Sequence, residues 1–501
     1  MHVIINIKDV DGDYMSVLND LIKQKQISNE ALETFVNKHI KDIFNTHKLS
    51  EHYQVFKDFQ TTDTTTALVI AWLALLSGDN TKAYHLYQSI DKTKLDKNLN
   101  IFYRDLESLA SFILTEEERL TLSKETIRLV GDDASFFAAN AYLTHGQILA
   151  GHKKLNDAAL MFEKAYEIFI KEHMLFPAVI SMTNALLNWF RLGDFKKVIQ
   201  KAEKTMMILS STKDQSDLYA NIIGLPIGMC YVEKDMLDLA IDYLLKAYDS
   251  IKKLELIHMH GYVEIYLMRT YHLMGQKDKL VDMIVKATKT FEHMHYPMME
   301  IIVLYGKLLD NQLSQKDIQK IESYAESHQI FHPVFNEILA VLYNQNQSKQ
   351  LDLNTFDAYI DDLRYEGDVV HLQKFLCLLA ERYYIEKQPK HSLKILEEVV
   401  KLYKTYHLKS ALYMFPLSCF HLITKIDPEI RLKSDQQELL TQREVEILNL
   451  IGQGKTNEDI SNTLYITVGT VKWHMNHILS KLDCKNRIQA YDKAKRLNLI
   501  K

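Results

Sequence analysis

Near the C-terminus, a basic, an aromatic and an amide side chain lie within five residues, at Lys472, Trp473 and Asn476. Apolar residues alternate with them at a period of three to four, and these are Val471, Met475, Ile478 and Leu482. This period predicts an amphipathic helix whose apolar face points into a small core. On the exposed face, lysine can donate to guanine, asparagine can pair with adenine, and an aromatic edge can contact a thymine methyl group. The pattern is therefore typical of a helix that reads the major groove of DNA.

Four short helices are predicted around this segment. Thr441 can cap the first, with Glu444 three residues later as its capping-box partner, and Thr467 can cap the third. Glycines at 452 and 454 end the first helix. The predicted helices extend from about Thr441 to Gly452, Asn457 to Leu464, Val468 to Leu482 and Arg487 to Leu497.

Several stretches of these helices share residue types and spacing with one known family. They are Leu440–Leu448, Gly454–Ile460 and Ile466–Ile478, followed by Lys481, Leu482, Arg487 and Ala490. By these residues, the last 62 positions resemble the LuxR/FixJ-type helix-turn-helix DNA-binding domain without a gap. The resemblance implies a domain from residue 439 to 501 that binds double-stranded DNA.

The resemblance also implies roles for single residues. Trp473 and Asn476 occupy base-reading positions, beside Lys472, although a tryptophan is unusual for the family where this chain has Trp473, and small or polar residues are common there. Contacts to phosphates are expected from Thr470, Lys481, Arg487 and the amides near Thr456. Domains of this type usually bind near-palindromic sites as dimers through the fourth helix. A homodimer on DNA is therefore expected, with Ile488 and Tyr491 at the dimer contact.

Three of these positions have a plainer interpretation. Trp473 could pack against the fourth helix as part of the core, and Asn476 could be an ordinary solvated residue. His474 matches a frequent family position, where a structural role and a phosphate contact are equally compatible with the sequence. The exposure of each side chain separates these alternatives.

Charge is distributed unevenly along the chain. The net charge is −5, but positions 436–501 carry 10 basic and 7 acidic residues, whereas positions 1–435 carry 50 and 58. From Thr467 onward there are 8 basic and 2 acidic residues. A polyanion is therefore attracted to the C-terminal end and repelled by the rest of the chain.

The long middle of the chain repeats a pattern of small and large apolar residues. One copy is Gly146, Leu149, Ala158, Phe162 and Ala165, and a second, at identical spacing, is Gly228, Tyr231, Ala240, Leu244 and Ala247. The anchors Ala158, Val198, Ala240 and Leu280 lie 40, 42 and 40 residues apart. Each unit predicts a pair of helices that cannot bury its apolar face alone, so the copies are expected to stack into a solenoid.

This pattern resembles tetratricopeptide repeats, with a period near 40 instead of 34, as in the repeat sensor region of maltose-regulator-like (MalT-like) bacterial activators. The resemblance is clear over about 137–290. Between about 300 and 365 helices are evident but their phase is not, and a generic helical bundle is the alternative. The predicted fold is all-α, with an N-terminal cap (1–60), a repeat domain (61–425), a linker (426–438) and the DNA-binding domain. Within the cap, Ile4–Ile7 alternates like a short strand and Ser16–Phe44 is predicted to be helical.

Other classes of function find little support in the sequence. The four cysteines are widely spaced, which fits a reducing cytoplasm, and no stretch matches a signal peptide or a membrane-spanning helix. Gly454-Lys455-Thr456 lacks the earlier glycine of a phosphate-binding loop, because position 449 is Asn. We therefore expect no ATP dependence, no cofactor, no metal site and no enzymatic activity.

The sequence thus predicts a cytoplasmic, signal-responsive transcription regulator, with activation as the habit of the family. Its repeat domain is expected to bind a small ligand, a peptide or a protein and thereby to control promoter binding. The alternative is a repeat-based protein-interaction scaffold with an accessory helix-turn-helix domain.

Overall fold

The computed structural model describes residues 28–110, 114–210, 216–294, 297–326, 333–345, 353–431, 440, 442–464, 466–482, 484–496 and 500. These residues form 25 α-helices and no strand, which confirms the all-α prediction for the described part of the chain. They divide into two compact units, one ending at Ile426 and one beginning at Asp427. The strand predicted at Ile4–Ile7 and the first part of the helix predicted from Ser16 lie outside the described residues.

The first unit contains helices α1 to α21. Their bounds are α1 Asn29–Phe44, α2 Leu49–Phe56, α3 Thr64–Leu76, α4 Asn80–Ser89, α5 Lys97–Leu109, α6 Glu116–Val130, α7 Phe136–Gly151, α8 Leu155–Lys171, α9 Leu175–Arg191, α10 Phe195–Ser210, α11 Ser216–Glu233, α12 Leu237–Lys253, α13 Ile257–Leu273, α14 Lys277–Met294, α15 Pro297–Leu309, α16 Gln315–Glu326, α17 Pro333–Asn344, α18 Leu353–Glu366, α19 Val369–Ile385, α20 Pro389–Tyr406 and α21 Phe420–Ile426. Two short 3₁₀ turns, Lys92–Lys94 and Ser410–Leu412, lie between them. Most helices pack against the next one in the chain, as in a helical-repeat solenoid.

The 40-residue period follows from helix length. Helices α7 to α14 are 16 to 18 residues long. Single residues with positive φ end several of them, at Lys153, His173, Gly193, Asp235, Glu255 and Gly275. The first three of these residues are spaced 20 residues apart, and so are the last three. A helix with its turn therefore takes 20 residues, and a helix pair takes 40.

Close contact between paired helices explains the alternation of small and large residues. A Cβ atom added to Gly146 on α7 would lie 2.7 Å from the ring of Phe162 on α8. A Cβ atom added to Gly228 on α11 would lie 2.9 Å from Leu244 on α12. The large residue thus fills the space beside the glycine of its own helix pair. All four anchors that define the period are buried, with at most 2% exposure.

Ion pairs connect early and late helices of the solenoid. Arg191 at the end of α9 contacts Glu366 and Asp368, with N–O distances of 2.6 Å in both cases. Lys374 on α19 contacts Glu233 at the end of α11, at 2.6 Å. Because these partners are more than 140 residues apart in the chain, the solenoid curves back on itself within this unit.

The segment that was predicted to be a linker begins with packed residues. Asp427 and Ile430 are 7% and 2% exposed. Residues 432–438 of that segment lie outside the described residues. None of the helices that the described residues form is long and apolar enough to cross a membrane.

Candidate nucleic-acid interface

The described residues of the second unit form four helices, and their order matches the sequence prediction. They are α22 Gln442–Gly452, α23 Asn457–Leu464, α24 Val468–Lys481 and α25 Arg487–Arg496. The apolar residues predicted to face inward from α24 are 0–7% exposed, and these are Val471, Met475, Ile478 and Leu482. They pack in one core with residues of α22, α23 and α25. This core fixes which face of α24 is exposed.

Side-chain caps define where α23 and α24 begin. Before α23, the Thr456 amide and hydroxyl donate to the carboxylate of Asp459 at 2.9 and 2.7 Å, and the Asp459 amide donates back to Thr456. These hydrogen bonds hold the pKa of the Asp459 carboxyl below its usual value. Before α24, the Thr467 hydroxyl accepts from the Thr470 amide at 3.1 Å. Both helix starts are therefore fixed by local hydrogen bonds.

The exposed face of α24 carries the three candidate base-reading residues. Lys472 and Asn476 are exposed, and they lie one helical turn apart. Trp473 is half-buried beside them, and its ring lies against that of His477, with 3.9 Å between centroids and 34° between the ring planes. Trp473 does not belong to the buried core, so its ring edge remains available on this face. His474, by contrast, is 4% exposed, which favours its structural interpretation.

The residues predicted to contact phosphates differ in accessibility. Thr456 is exposed, and Arg487 is half-buried and donates to the Lys455 carbonyl oxygen at 2.5 Å. Thr470 is 8% exposed, and its hydroxyl shares a hydrogen bond with that of Thr467. The side chain of Lys481 lies outside the described residues. All four phosphate contacts stay predictions.

The two residues of the predicted dimer contact have different surroundings. Ile488 on α25 is 67% exposed, which is unusual for an isoleucine. Tyr491 is half-buried, and its ring lies so close to Gly452 that an added Cβ atom there would be 2.3 Å from it. Tyr491 therefore packs against α22 of its own domain, and Ile488 is the more accessible of the two.

Sequence reasoning missed two residues that shape this domain. His477 supports the Trp473 ring, and the spacing of four residues between two aromatic rings on one helix was the available signal. Arg443 pairs with Glu446 and donates to the Leu464 carbonyl oxygen at 2.7 Å, which ties α22 to the end of α23. No pattern in the sequence pointed to that second contact.

Comparison with known proteins agrees with this geometry. Residues 438–494 match the family model described as GerE, bacterial regulatory proteins, luxR family. The C-terminal domain is thus a LuxR-family helix-turn-helix domain, as the sequence analysis predicted.

Individual relatives are similar over the same part of the chain. The transcriptional regulatory protein LiaR of Bacillus subtilis is 54% identical over 63 residues, which is 13% of this chain and 30% of LiaR. The response regulator protein VraR of Staphylococcus aureus (strain NCTC 8325) is 40% identical over 79 residues, which is 16% of this chain and 38% of VraR. The chain therefore spans about a third of the length of these curated relatives.

One solved structure aligns over almost the whole chain. It is described as the crystal structure of the APC/C hetero-tetramer Cut9-Hcn1, and the alignment covers 96% of this chain and 98% of that one. The TM-score is 0.33 and the sequence identity is 12%.

Proposed function

We propose that this protein is a DNA-binding transcription regulator in which α24 reads the major groove. The observation that carries the proposal is the exposed face of α24, where Lys472, Trp473 and Asn476 lie on one side of a helix whose other side is the domain core. Lysine and asparagine are side chains that hydrogen-bond to base edges, and the Trp473 ring supplies an apolar edge for thymine.

Phosphate contacts set the position of this helix on DNA. Thr470 and Lys481 belong to α24, Thr456 directly precedes α23, and Arg487 is the first residue of α25. An excess of basic residues from Thr467 onward supports the attraction to a polyanion. The exposed Ile488 is the site proposed for pairing of two domains on a near-palindromic sequence.

The repeat unit is proposed to receive the signal that controls this binding. LiaR is called a transcriptional regulatory protein and VraR a response regulator, and we carry over to this chain the regulation of transcription in response to a signal. The protein acts in the cytoplasm, without enzymatic activity of its own, and activation of its target promoters is the expected outcome.

Replacement of Lys472 and Asn476 by alanine tests the proposal. Loss of two base contacts is expected to weaken binding to the preferred site by at least about 30-fold, because each good contact contributes about 1–3 kcal/mol. Fluorescence anisotropy with labelled duplexes at fixed salt measures the affinity, and circular dichroism checks the helix content.

The matched control is the double variant Lys204→Ala and Asn156→Ala, which removes the same exposed side-chain types from α10 and α8. It should bind DNA as the unchanged protein does. Equal affinities for the α24 variant and this control would overturn the proposal. If no DNA is enriched and a stable protein partner is recovered instead, the alternative of an interaction scaffold is favoured.

A further inference from the structure

A cavity of about 760 Å³ lies inside the first unit, within the curve of the solenoid. Helices α9 and α13 form one side of it, and α17, α18 and α19 form the other. Pockets that hold small organic ligands typically measure about 300–1,000 Å³. The cavity therefore has the volume of a ligand site, between helices that are far apart in the chain.

The walls of the cavity are mainly apolar and aromatic. Its apolar lining residues include Phe190, Met229, Ile265, Val334, Phe356 and Phe375. Most of these side chains are also part of the buried core, so the walls are held in place by packing on their far sides. A rigid apolar wall favours the apolar body of a ligand, because binding removes its surface from water.

A buried network of charges underlies one wall. Arg269 is 1% exposed and pairs with Glu337, and its Nε donates to the Tyr305 hydroxyl at 2.8 Å. Next to it, Lys374 pairs with Glu233 at 2.6 Å. Two cations thus face two carboxylates, and the network is balanced.

Arg269 belongs both to this network and to the lining of the cavity. Arg269 uses its Nε and one terminal nitrogen in the hydrogen bonds above, and within the described part of the chain its Nη1 donates to no residue. A guanidinium N–H at the wall of an apolar cavity can donate to an acceptor on a ligand, and hydrogen bonds from charged donors are among the strong ones.

Charge at the rim limits what that acceptor can be. Lys153 and Arg191 at the rim contact the carboxylates of Asp362, Glu366 and Asp368, and the His371 ring also contacts Asp368, at 2.8 Å. A negatively charged ligand would therefore find the Lys and Arg side chains of the rim and of the wall already paired with carboxylates. Burying an extra charge under those conditions is unfavourable. A neutral oxygen is the better acceptor.

We infer that this cavity binds an uncharged, amphipathic organic molecule whose carbonyl or hydroxyl oxygen accepts a hydrogen bond from Arg269. The apolar body of the ligand packs against the aromatic walls, and its polar end meets the Arg269 guanidinium. This inference deepens the proposed function, because it places the input of the regulator between the early and the late repeats.

Prodan, an uncharged naphthalene with a propionyl carbonyl group, is a suitable probe because its emission reports the polarity around it. Full-length protein is titrated with Prodan in the absence of DNA, so the result is independent of whether the α24 proposal holds. We expect saturable binding at one site with a blue-shifted emission. The anionic probe anilinonaphthalene sulfonate, and the analogue of Prodan with a propyl group in place of the propionyl group, should each bind at least about 10-fold more weakly.

Two variants fill the cavity without disturbing the core. A Cβ atom at Gly151 meets nothing within 4 Å, and Ala358 is exposed on the cavity side of α18. Gly151→Trp and Ala358→Trp should each weaken Prodan binding at least about 10-fold. Met207→Trp, at a residue that is 75% exposed and outside the cavity, is the control and should bind like the unchanged protein.

Three results overturn the inference. They are the absence of saturable Prodan binding, an affinity that both filling variants retain, and equal affinities for Prodan and its propyl analogue. Thermal unfolding of each variant establishes that a loss of binding is not a loss of fold.

Discussion

At the scale of single residues, the proposed DNA-reading face of α24 depends on the position of the Trp473 ring. Its ring rests on His477, so its edge is directed by a neighbour on the same helix and not by the domain core. An aromatic edge distinguishes thymine from the other bases through the thymine methyl group. The residue is therefore placed to contribute specificity more than stability.

This role predicts a dependence on a single methyl group in the DNA. Replacing the contacted thymine by uracil should weaken binding of the unchanged protein several-fold, because the apolar contact is lost. The variant Trp473→Ala should bind both duplexes equally, and His477→Ala should retain part of the difference. Competition titrations with the two duplexes measure the effect. If the change from thymine to uracil lowers the affinity of the unchanged protein and of Trp473→Ala by the same factor, the methyl contact is ruled out.

Asp105 on α5 is a second residue whose surroundings have a measurable consequence. It is 2% exposed, and its Oδ2 has no hydrogen-bond partner in the described residues. Burial raises the pKa of its carboxyl to about 8, although a hydrogen bond with Thr144 opposes the shift. The folded protein therefore binds a proton between pH 4 and 8 that the unfolded chain releases.

Because the pKa of Asp105 is raised on folding, the stability of the protein falls as the pH rises. This carboxyl favours folding fully below its unfolded pKa, near 4, and its contribution is lost as the pH rises to about 8. Asp105→Asn keeps the neutral shape, so it should stabilise the protein at pH 8 by up to about 5 kcal/mol and have little effect near pH 4. Thermal unfolding at both pH values gives the difference, and Asp58→Asn at an exposed position is the control. A stabilisation that does not change with pH would contradict this account.

At the scale of elements, the paired helices depend on glycine where they approach most closely. A Cβ atom on Gly146 would overlap the buried ring of Phe162. Gly146→Ala is thus expected to lower the free energy of unfolding by about 1–3 kcal/mol through overpacking. The higher helix propensity of alanine offsets roughly 1 kcal/mol of this loss. Gly151→Ala, in the same helix but with open space around it, is the control and should not destabilise. Hydrogen exchange of the α7 and α8 amides reports the local stability, and equal protection in both variants would contradict the packing argument.

Helix spacing also explains what the sequence could predict. Between Phe136 and Met294 the helices have nearly constant length, so apolar anchors recur at a fixed period and reveal the pairs. Helices α15 to α18 are only 12 to 14 residues long, which breaks the period and hides the phase between 300 and 365. The bounds of the four C-terminal helices were predicted to within a residue or two, because caps and glycines mark their ends.

At the scale of the whole molecule, the division into a repeat unit and a LuxR-family domain was predictable, but the cavity was not. Its walls come from helices that meet only because the solenoid curves back, as the ion pairs of Arg191 with Glu366 and Asp368 indicate. Contacts between residues so far apart leave no local pattern in the sequence. The exposed side of α24, which carries the proposed DNA-reading face, lies on one helix, so a single periodic segment was enough to predict that exposure.

The central claim is that α24 of this protein reads a specific DNA sequence. Selection of binding sites from random double-stranded DNA with the full-length protein tests it most directly. We predict enrichment of one motif with two inverted half-sites, as pairing through Ile488 requires. The double variant Lys472→Ala, Asn476→Ala should not enrich this motif. Recovery of random sequences by the unchanged protein, bound only through salt-sensitive phosphate contacts, would contradict the account.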